Sequence, residues 1–354
     1  MYADIIVDIT HEKLDKIFQY RIPKEMEGRL QTGMEVLIPF GRANRETKGY
    51  VIGFSEKCNY DPEKIKEITQ ISQNHIAIEA KLVALAAWMK EHYGGTMIQA
   101  LKTVLPIKQQ EKQKEQRSIR LLLDRREAKE RLSYFLSKNQ TARARVVAAL
   151  LDRPILPYEY VTRQLKVTAA VLRAMEEQRI LQIEAEVVYR NPVTAKRTKQ
   201  QSFCYTEAQQ AAIHTFCEEY RRGKRGTYLV YGVTGSGKTE VYMEMIEHVI
   251  AEGKQAIVLI PEIALTYQTV MRFYQRFGDR VSIINSRLSK GERYDQMLRA
   301  KRGEINVMIG PRSALFTPFE RLGLIIIDEE HEGTYKSEQT PRYHARETAI
   351  ARRS

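Results

Sequence analysis

The chain has 354 residues, of which 43% are apolar and 29% are charged. This composition is typical of globular proteins and excludes disorder throughout, and the length exceeds one ordinary core, so two or three domains are expected. Lys and Arg outnumber Asp and Glu by 57 to 44, which gives a net charge of +13. A basic chain attracts polyanions, and nucleic acid is the leading partner, although solubilising surface charge explains the same excess.

Isolated cysteines and short apolar runs narrow the class of protein further. Cys58, Cys204 and Cys217 form no CxxC pair and have no His at ligand spacing, so they predict neither a disulfide framework nor a zinc site. The chain has no apolar run of the roughly 20 residues that a membrane helix needs, and its first residues lack the pattern of a signal peptide. We therefore expect a cytoplasmic protein without a membrane segment.

The first hundred or so residues predict a β-rich domain that ends in a helix. From Ala3 to Glu56 short apolar runs alternate with glycines that mark turns, which predicts a small barrel or a curled sheet. Residues 78–93 have apolar positions at helical spacing and are followed by two glycines, where the helix should end. The polar, charged stretch that follows predicts a linker over residues 106–126, with an exposed helical turn as the alternative.

A short helical region comes next. Residues 127–191 contain three helical patterns and end in the strand-like segment QIEAEVVYR. Helices followed by a small β-element are typical of a winged helix, although many other small helical domains share this pattern. A second linker is predicted over residues 192–204, which are rich in Lys, Arg and Gln.

Strands and helices alternate in the remainder of the chain. The β-branched runs TYLVYG, QAIVLIP, RVSIIN, INVMIG and LGLIIID are separated by amphipathic helical patterns. This alternation predicts a doubly wound, mainly parallel sheet that binds ligands at the carboxyl ends of its strands. The expected fold class is therefore multidomain α/β, with residues 205–354 as the α/β lobe.

A phosphate-binding motif lies between a predicted strand and a predicted helix of this lobe. The segment GVTGSGKT fits GxxxxGK[ST] and directly follows TYLVY. In such a P-loop, backbone N–H groups surround phosphate oxygens, Lys238 reaches the β- and γ-phosphates, and the Thr239 hydroxyl binds Mg²⁺. The alternative is a glycine-rich turn without function. The predicted nucleotide-binding residues are Gly232, Val233, Thr234, Gly235, Ser236, Gly237, Lys238 and Thr239.

Acidic residues follow the last apolar strand of the lobe, in the segment LIIIDEEH. Asp328 is placed to hold Mg²⁺, and Glu329 to polarise the attacking water. With Lys238 these two carboxylates are the predicted catalytic residues, and ATP and Mg²⁺ are the predicted cofactors. His331 is a candidate link between the nucleotide site and a DNA site, although taken alone it would be a surface histidine.

Several longer segments carry a resemblance to one family. PEIALTYQ, GPRSALF and YKSEQTPRYHAR, together with GVTGSGKTEVY and DEEH, resemble the replication-restart primosomal helicases of superfamily 2, and the early LDKIFQYRIP and GMEVLIPFG also match. The resemblance covers essentially the whole chain. It implies a 3′-end DNA-binding domain over residues 1–105, a winged-helix-like DNA-binding domain over 127–191 and a RecA-like helicase lobe over 205–354.

The same resemblance implies roles for individual residues. Gln209 would read the adenine edge. The implied DNA contacts in the lobe are Thr266, Gln268, Arg312 and Ser313, with Tyr335, Lys336, Arg342, Tyr343 and Arg346 in an aromatic-rich loop that couples DNA binding to hydrolysis. Bases would stack on the rings of that loop and phosphates would meet its cations, whereas a solvated loop is the alternative.

A pocket for the terminal 3′ nucleotide of a DNA strand is implied near the amino terminus. Its residues would be Phe18, Gln19, Tyr20, Gly41 and Lys66. Gln19 stands where the family often has Asp; an amide accepts a hydrogen bond from a hydroxyl but adds no negative charge, so strict 3′-hydroxyl recognition is in question. The alternative is that both aromatic residues only pack a barrel.

The resemblance also implies an activity and partners. The family members are ATP-dependent 3′-to-5′ DNA helicases or translocases that recognise stalled or recombined forks and initiate primosome reassembly. The implied partners are forked and single-stranded DNA, other primosome proteins and single-strand-binding protein, with no membrane.

The family continues into a second motor lobe with a zinc-binding insertion, so zinc is expected only there. Arginines of that lobe complete the ATP site, and one such finger contributes ~10³ or more in rate. The chain is therefore expected to be a truncated form with fork and ATP binding but weak turnover. The alternatives are a fork-binding module without catalytic activity and another superfamily 2 fork translocase.

Overall fold

The structure, a computed structural model, describes residues 1–61, 63–72, 80–105, 115–187 and 204–352. These residues divide into two compact units. The first unit contains residues 1–105 and 204–352, and the second contains residues 115–187. The predicted linker over 192–204 lies almost entirely outside the described residues.

The first unit begins with a five-stranded antiparallel sheet. Its strands are β1 (Tyr2–Val7), β2 (Phe18–Arg21), β3 (Glu35–Phe40), β4 (Arg45–Ser55) and β5 (Gln70–Ile71), in the order β2-β1-β4-β3-β5. β1 and β4 approach each other closely at Gly49, where an added Cβ would lie 2.5 Å from Ile5 Cγ2. The predicted β-rich domain is thus confirmed as an antiparallel sheet, whose Ile5 and Val36 lie in one apolar core and whose Ile6 and Tyr50 lie in another.

Two helices follow this sheet, α1 (Ala80–Tyr93) and α2 (Met97–Val104). α1 ends where the sequence predicted, at Gly94 and Gly95, whose φ angles of 73° and 86° are in the left-handed region that glycine tolerates. α2 begins with a capping box between Thr96 and Gln99. The apolar faces of both helices pack against the α/β lobe of the same unit, for example through Met89 and Leu101 on one side and Ile257 on the other.

The second unit is a three-stranded antiparallel sheet packed with helices. Its elements are β6 (Glu115–Leu121), α3 (Arg125–Ser137), α4 (Thr141–Asp152), β7 (Ile155–Pro157), a π-helical turn (Tyr160–Gln164), α5 (Ala169–Glu177) and β8 (Leu181–Val187). The strand order is β7-β6-β8. An apolar core that includes Phe135, Val147 and Leu172 holds the helices on the sheet.

The predicted linker over residues 106–126 extended too far. Residues 115–121 form β6, the central strand of the second unit, and α3 begins at Arg125. The sequence did not reveal this strand because β6 is short and rich in charged residues. Its Ile119 is fully buried, but it lies between the polar residues Ser118 and Arg120. A single buried position gives no period that distinguishes a strand from a linker.

The α/β lobe contains five helices and a four-stranded parallel sheet among its described residues. The elements are α6 (Glu207–Arg221), α7 (Lys238–Ala251), β9 (Gln255–Leu259), α8 (Tyr267–Phe277), β10 (Val281–Ile283), α9 (Lys290–Lys301), β11 (Val307–Gly310), β12 (Leu322–Ile327) and α10 (Ala345–Arg352). The strand order is β10-β11-β9-β12, with every pair parallel. The predicted parallel α/β lobe is confirmed.

One predicted strand of the lobe is wrong. Residues 227–231, TYLVY, form no strand, and within the described chain β12 pairs only with β9. The segment lies along α6 instead, where Tyr228 donates a hydrogen bond to Glu219 and packs edge-on against Phe216. β-branched and aromatic composition indicates a fit to a sheet surface, but a strand also needs a partner ladder, which composition cannot reveal.

None of the described helices combines the length and apolar character needed to span a bilayer.

Candidate nucleotide and nucleic-acid sites

The P-loop connects the TYLVY segment to α7. Gly235 and Gly237 have φ angles of 82° and 78°, so the loop uses backbone conformations that side chains disfavour. α7 begins at Lys238, whose ammonium donates hydrogen bonds to the carbonyls of Gly232 at 2.8 Å and Val233 at 3.0 Å. The lysine therefore folds back on the loop, and its charge is held at the point where phosphate oxygens enter a P-loop.

Gln209, in the first turn of α6, connects this helix to the P-loop by a hydrogen bond. Its Nε2 donates a hydrogen bond to the Ser236 carbonyl at 2.9 Å, and its Oε1 accepts one from the Thr206 backbone at 2.9 Å. A Cβ added at Gly237 would lie 2.5 Å from Gln209 Nε2, so only glycine fits beside this amide. Both polar ends of Gln209 are engaged with protein, and reading of an adenine edge would require the amide to exchange one of these partners.

Tyr242 links the two residues predicted to bind Mg²⁺. Its hydroxyl donates a hydrogen bond to Asp328 Oδ2 at 3.1 Å, and the Thr239 side chain hydrogen-bonds to the same hydroxyl. Thr239 and Tyr242 lie one turn apart on α7, whereas Asp328 directly follows β12. The fold therefore brings the P-loop hydroxyl and the carboxylate to one place at the carboxyl end of the sheet.

The environment of Asp328 suits a hard cation. Burial raises the pKa of its carboxyl, and the nearby Glu329 also raises it, whereas hydrogen bonds from Tyr242 and the Glu329 backbone and the charge of Lys238 lower it. A divalent cation would favour the ionised form. The oxygens of Thr239 and Asp328 are the hard donors that Mg²⁺ prefers, so these residues fit the metal.

Glu329 occupies a strained position directly after Asp328. Its φ angle of 48° lies in the left-handed region, which is uncommon for a residue with a side chain and recurs at functional sites. Its carboxylate lies 3.6 Å from His331 Nε2, and both side chains are open to solvent. The predicted water-polarising residue and the predicted coupling residue are therefore neighbours.

The two tyrosines predicted to stack bases are buried. Tyr335 is 1% exposed and Tyr343 is 4% exposed. The Tyr335 hydroxyl donates hydrogen bonds to the carbonyls of Leu259 at 3.0 Å and Asp328 at 2.6 Å, so it joins the ends of β9 and β12. The Tyr343 ring packs edge-on against Phe316 at 5.3 Å. Stacking of bases on these rings is incompatible with this conformation, because core packing uses the faces that bases would need.

The three cations of the same loop and Arg312 of the GPRSALF segment have different surroundings. Arg312 donates hydrogen bonds to the carbonyls of Thr334 and Lys336, which ties the GPRSALF segment to the loop. Arg346 pairs with Glu330 of DEEH at 2.8 Å, and Lys336 lies over the Tyr93 ring at 5.5 Å. Arg342 is exposed. Protein contacts therefore orient three of these four cations.

Thr266 and Gln268 lie at the exposed start of α8. The Thr266 side chain caps the helix by accepting a hydrogen bond from the Thr269 backbone. Next to them Ile263 is 86% exposed and Tyr267 is 75% exposed. The sequence analysis did not single out these two side chains. They are exposed next to Thr266 and Gln268, which are predicted to contact DNA, and this position suits stacking on bases.

The residues predicted to bind the terminal 3′ nucleotide of a DNA strand form a buried group and a more exposed group. Gln19 is buried, and its amide contacts Asp4, the Lys57 carbonyl and the Asn59 backbone. Tyr20 is also buried and donates to the Pro39 carbonyl at 3.2 Å, and burial raises the pKa of its hydroxyl to about 12.

The open group consists of Phe18, Gly41 and Lys66. The Lys66 ammonium donates to the Gly41 carbonyl at 2.6 Å. The half-buried Phe18 ring packs edge-on against Phe40 at 5.2 Å and has Lys16 over its face at 5.3 Å. Gln19 and Tyr20 thus have structural roles, whereas a ring and two cations remain at the surface.

Two family models match the chain. The model of the 3′ DNA-binding domain matches residues 4–106, and the model of the DEAD/DEAH box helicase matches residues 206–351. The replication restart protein PriA of Bacillus subtilis is 31% identical over 415 aligned positions that cover 99% of this chain. Over nearly its whole length the chain is therefore similar to the PriA family of replication restart proteins.

PriA proteins of other bacteria also match the chain. PriA of Chlamydia trachomatis is 33% identical over 99% of this chain, and PriA of Rickettsia conorii is 48% identical over 35% of it. The chain spans about half the length of the curated relatives it matches, 51% for Bacillus subtilis and 47% for Chlamydia trachomatis. In the described ranges no group of three or more His, Cys, Asp or Glu side chains is placed to hold a metal ion.

Proposed function

We propose that the chain provides the fork-binding and ATP-binding part of a DNA helicase that moves 3′ to 5′ on DNA. Such a protein would recognise stalled or recombined replication forks and initiate primosome reassembly. The observation that carries the proposal is the Thr239–Tyr242–Asp328 contact beside the P-loop lysine, in a lobe that matches the DEAD/DEAH box helicases. A match to a 3′ DNA-binding domain lies in the same compact unit.

The proposed chemistry assigns a role to each residue of the nucleotide site. Lys238 would exchange the carbonyls of Gly232 and Val233 for phosphate oxygens, because an ammonium binds an anion more strongly than it binds a neutral carbonyl. Bound Mg²⁺ would neutralise charge on the phosphates, and Thr239 and Asp328 would hold it. Glu329 would orient and polarise the attacking water.

We also propose DNA contacts and partners beyond the motor. The second unit would act as a winged-helix-like DNA-binding domain, since its helices pack on a small antiparallel sheet and carry many arginines. The domain boundaries that we propose are the predicted ranges, with the first linker ending before β6. Primosome proteins and single-strand-binding protein are proposed as cytoplasmic partners, and zinc only for the part of such proteins outside these residues.

A second candidate function is a fork-binding module whose P-loop holds nucleotide with little turnover. The observation that favours it is that residues 227–231, directly before the P-loop, form no strand of the sheet. Tyr231, immediately before Gly232, is 94% exposed. A loop without a strand behind it holds phosphate oxygens less rigidly, and catalysis of phosphoryl transfer depends on positioning.

ATP hydrolysis by the purified chain, with and without a forked DNA at fixed salt, tests the proposal. We expect forked DNA to increase turnover and Lys238→Ala to abolish it. Lys224→Ala is the matched control, because this exposed lysine pairs with Glu219 outside the P-loop and should keep wild-type turnover. Fork and nucleotide binding without turnover would favour the second candidate, and the absence of both forms of binding would refute the proposal.

A further inference from the structure

Arg276, on α8, contacts both α7 and the residue just before the N-cap of α6. Its Nε and Nη2 donate hydrogen bonds to Glu247 on α7 at 2.9 Å and 2.6 Å. Nη2 also donates to Glu244, one turn earlier on α7, and Nη1 donates to the Tyr205 hydroxyl at 3.3 Å. Only 10% of the Arg276 side chain is exposed, so this group of contacts is more rigid than an ion pair at the surface.

The Tyr205 hydroxyl is held from two sides in this group. It donates a hydrogen bond to Glu244 at 2.8 Å and accepts the one from Arg276. Burial raises the pKa of this hydroxyl, and although the hydrogen bond from Arg276 lowers it, the net shift is upward. The hydroxyl therefore stays protonated, and it continues to donate to the carboxylate.

Tyr205 directly precedes the segment that holds Gln209. Thr206, the N-cap of α6, donates its backbone N–H to Gln209 Oε1 at 2.9 Å, and Gln209 Nε2 donates to the Ser236 carbonyl of the P-loop at 2.9 Å. The position of the Gln209 amide therefore depends on the backbone at Thr206, and the fixed ring of Tyr205 anchors that backbone. An amide selects one base only when its orientation is fixed, because a small displacement breaks directional hydrogen bonds.

We propose that Arg276 is a positioning residue for the base of the nucleotide, which acts by holding Tyr205 and through it the Gln209 amide. The inference rests on the proposed function, in which the chain binds ATP and Gln209 is the predicted reader of the adenine edge. It adds that selectivity for the base is set from α8, whereas the P-loop with Lys238 binds the phosphates. Base selectivity and phosphate affinity should therefore change independently.

The ratio of the affinities for ATP and CTP tests this proposal. Non-hydrolysable analogues of both nucleotides would displace a fluorescent ATP analogue from the chain in the presence of Mg²⁺, and we expect the wild-type chain to prefer ATP. Tyr205→Phe keeps the ring and removes only the hydroxyl, and it should reduce this preference about three- to tenfold. Arg276→Lys should reduce it similarly, because one ammonium does not reproduce the planar guanidinium that reaches three partners.

Inorganic triphosphate separates base reading from general damage to the site. It carries no base, so its affinity should be the same in the wild-type chain and in Tyr205→Phe. Tyr274→Phe is the matched control, since this tyrosine of α8 donates its hydroxyl hydrogen bond to Asp279 at 3.1 Å, and the ATP preference should be unchanged. Tyr205→Phe is the milder of the two test variants, and it keeps the proposal testable if the buried change at Arg276 impairs folding.

The outcomes separate this proposal from the proposed function. If Tyr205→Phe keeps the full preference for ATP, or weakens ATP, CTP and triphosphate by the same factor, the group is purely structural and the proposal is overturned. If the wild-type chain binds ATP and CTP equally well, the positioning role is overturned while nucleotide binding stands. If the wild-type chain binds no nucleotide, the proposed function itself fails, and this inference fails with it.

Discussion

The Tyr242 hydroxyl lies 3.1 Å from Asp328 Oδ2 and donates a hydrogen bond to it. The same hydroxyl is hydrogen-bonded to Thr239, so one phenol on α7 positions both predicted Mg²⁺ ligands. Tyr242 is buried, and burial raises the pKa of its hydroxyl above the usual range, which keeps it a neutral donor. Sequence reasoning missed this residue, although its place three positions after Thr239 on a helix that faces the sheet was an available signal.

Tyr242→Phe should weaken the dependence of nucleotide binding on Mg²⁺. The substitution keeps the ring and removes the hydrogen bonds to Asp328 and Thr239, each of about 1 kcal/mol, so the Mg²⁺ concentration at half-saturation should rise about five- to thirtyfold. A fluorescent ATP analogue titrated with Mg²⁺ measures this change. The control is Tyr220→Phe, because the buried Tyr220 hydroxyl has no hydrogen-bond partner among the described residues. Equal Mg²⁺ dependence in the two variants would contradict the positioning role.

The Tyr335→Phe variant tests whether the Tyr335 side chain is packed in the protein core or is available to stack on DNA bases. The hydroxyl joins the carbonyls of Leu259 and Asp328, so its loss should reduce the free energy of unfolding by about 1 to 2 kcal/mol. The midpoint of urea denaturation measures this loss, with the 94% exposed Tyr231 changed to Phe as the control. Because phenylalanine keeps the ring, unchanged stability would contradict the core position of the hydroxyl and would instead favour the stacking role that the resemblance implied.

Gly310→Ala should destabilise the lobe at the end of β11. A Cβ at this position would lie 2.6 Å from the Ile284 carbonyl oxygen and 3.0 Å from Ala314 Cβ, so backbone must move. Such overpacking costs about 1 to 3 kcal/mol. Gly333→Ala is the matched control, since its Cβ would meet nothing within 4 Å and should change stability by less than about 0.5 kcal/mol. Thermal melting of both variants compares them, and equal melting temperatures would refute the close approach.

Lys66→Met should weaken binding of a DNA strand with a free 3′ end. The ammonium lies at the Gly41 turn among the open 3′-end residues, and loss of one phosphate contact should raise Kd about three- to tenfold at low salt. Lys64→Met removes an equally charged side chain that is 83% exposed and pairs with Asp61, so it should have little effect. If the two variants lose affinity equally, general basicity rather than a local contact explains the binding.

The sequence predicted most of the fold because long periodic segments and a motif with strict spacing define it. Residues 232–239 located the start of α7, and apolar runs located β9, β11 and β12 to within a few residues. Burial of Tyr335 was not predictable, because a tyrosine in a charged loop gives the same pattern whether its ring faces bases or core.

The dependence of nucleotide affinity on DNA is the most direct test of a motor that couples the two ligands. The affinity of the chain for a non-hydrolysable ATP analogue with Mg²⁺ would be measured with and without saturating forked DNA at fixed salt. Thermodynamic linkage requires reciprocal coupling, and we predict a tightening of about fivefold or more, with no binding in Lys238→Ala. Identical affinity with and without DNA, or undiminished binding in Lys238→Ala, would contradict the account.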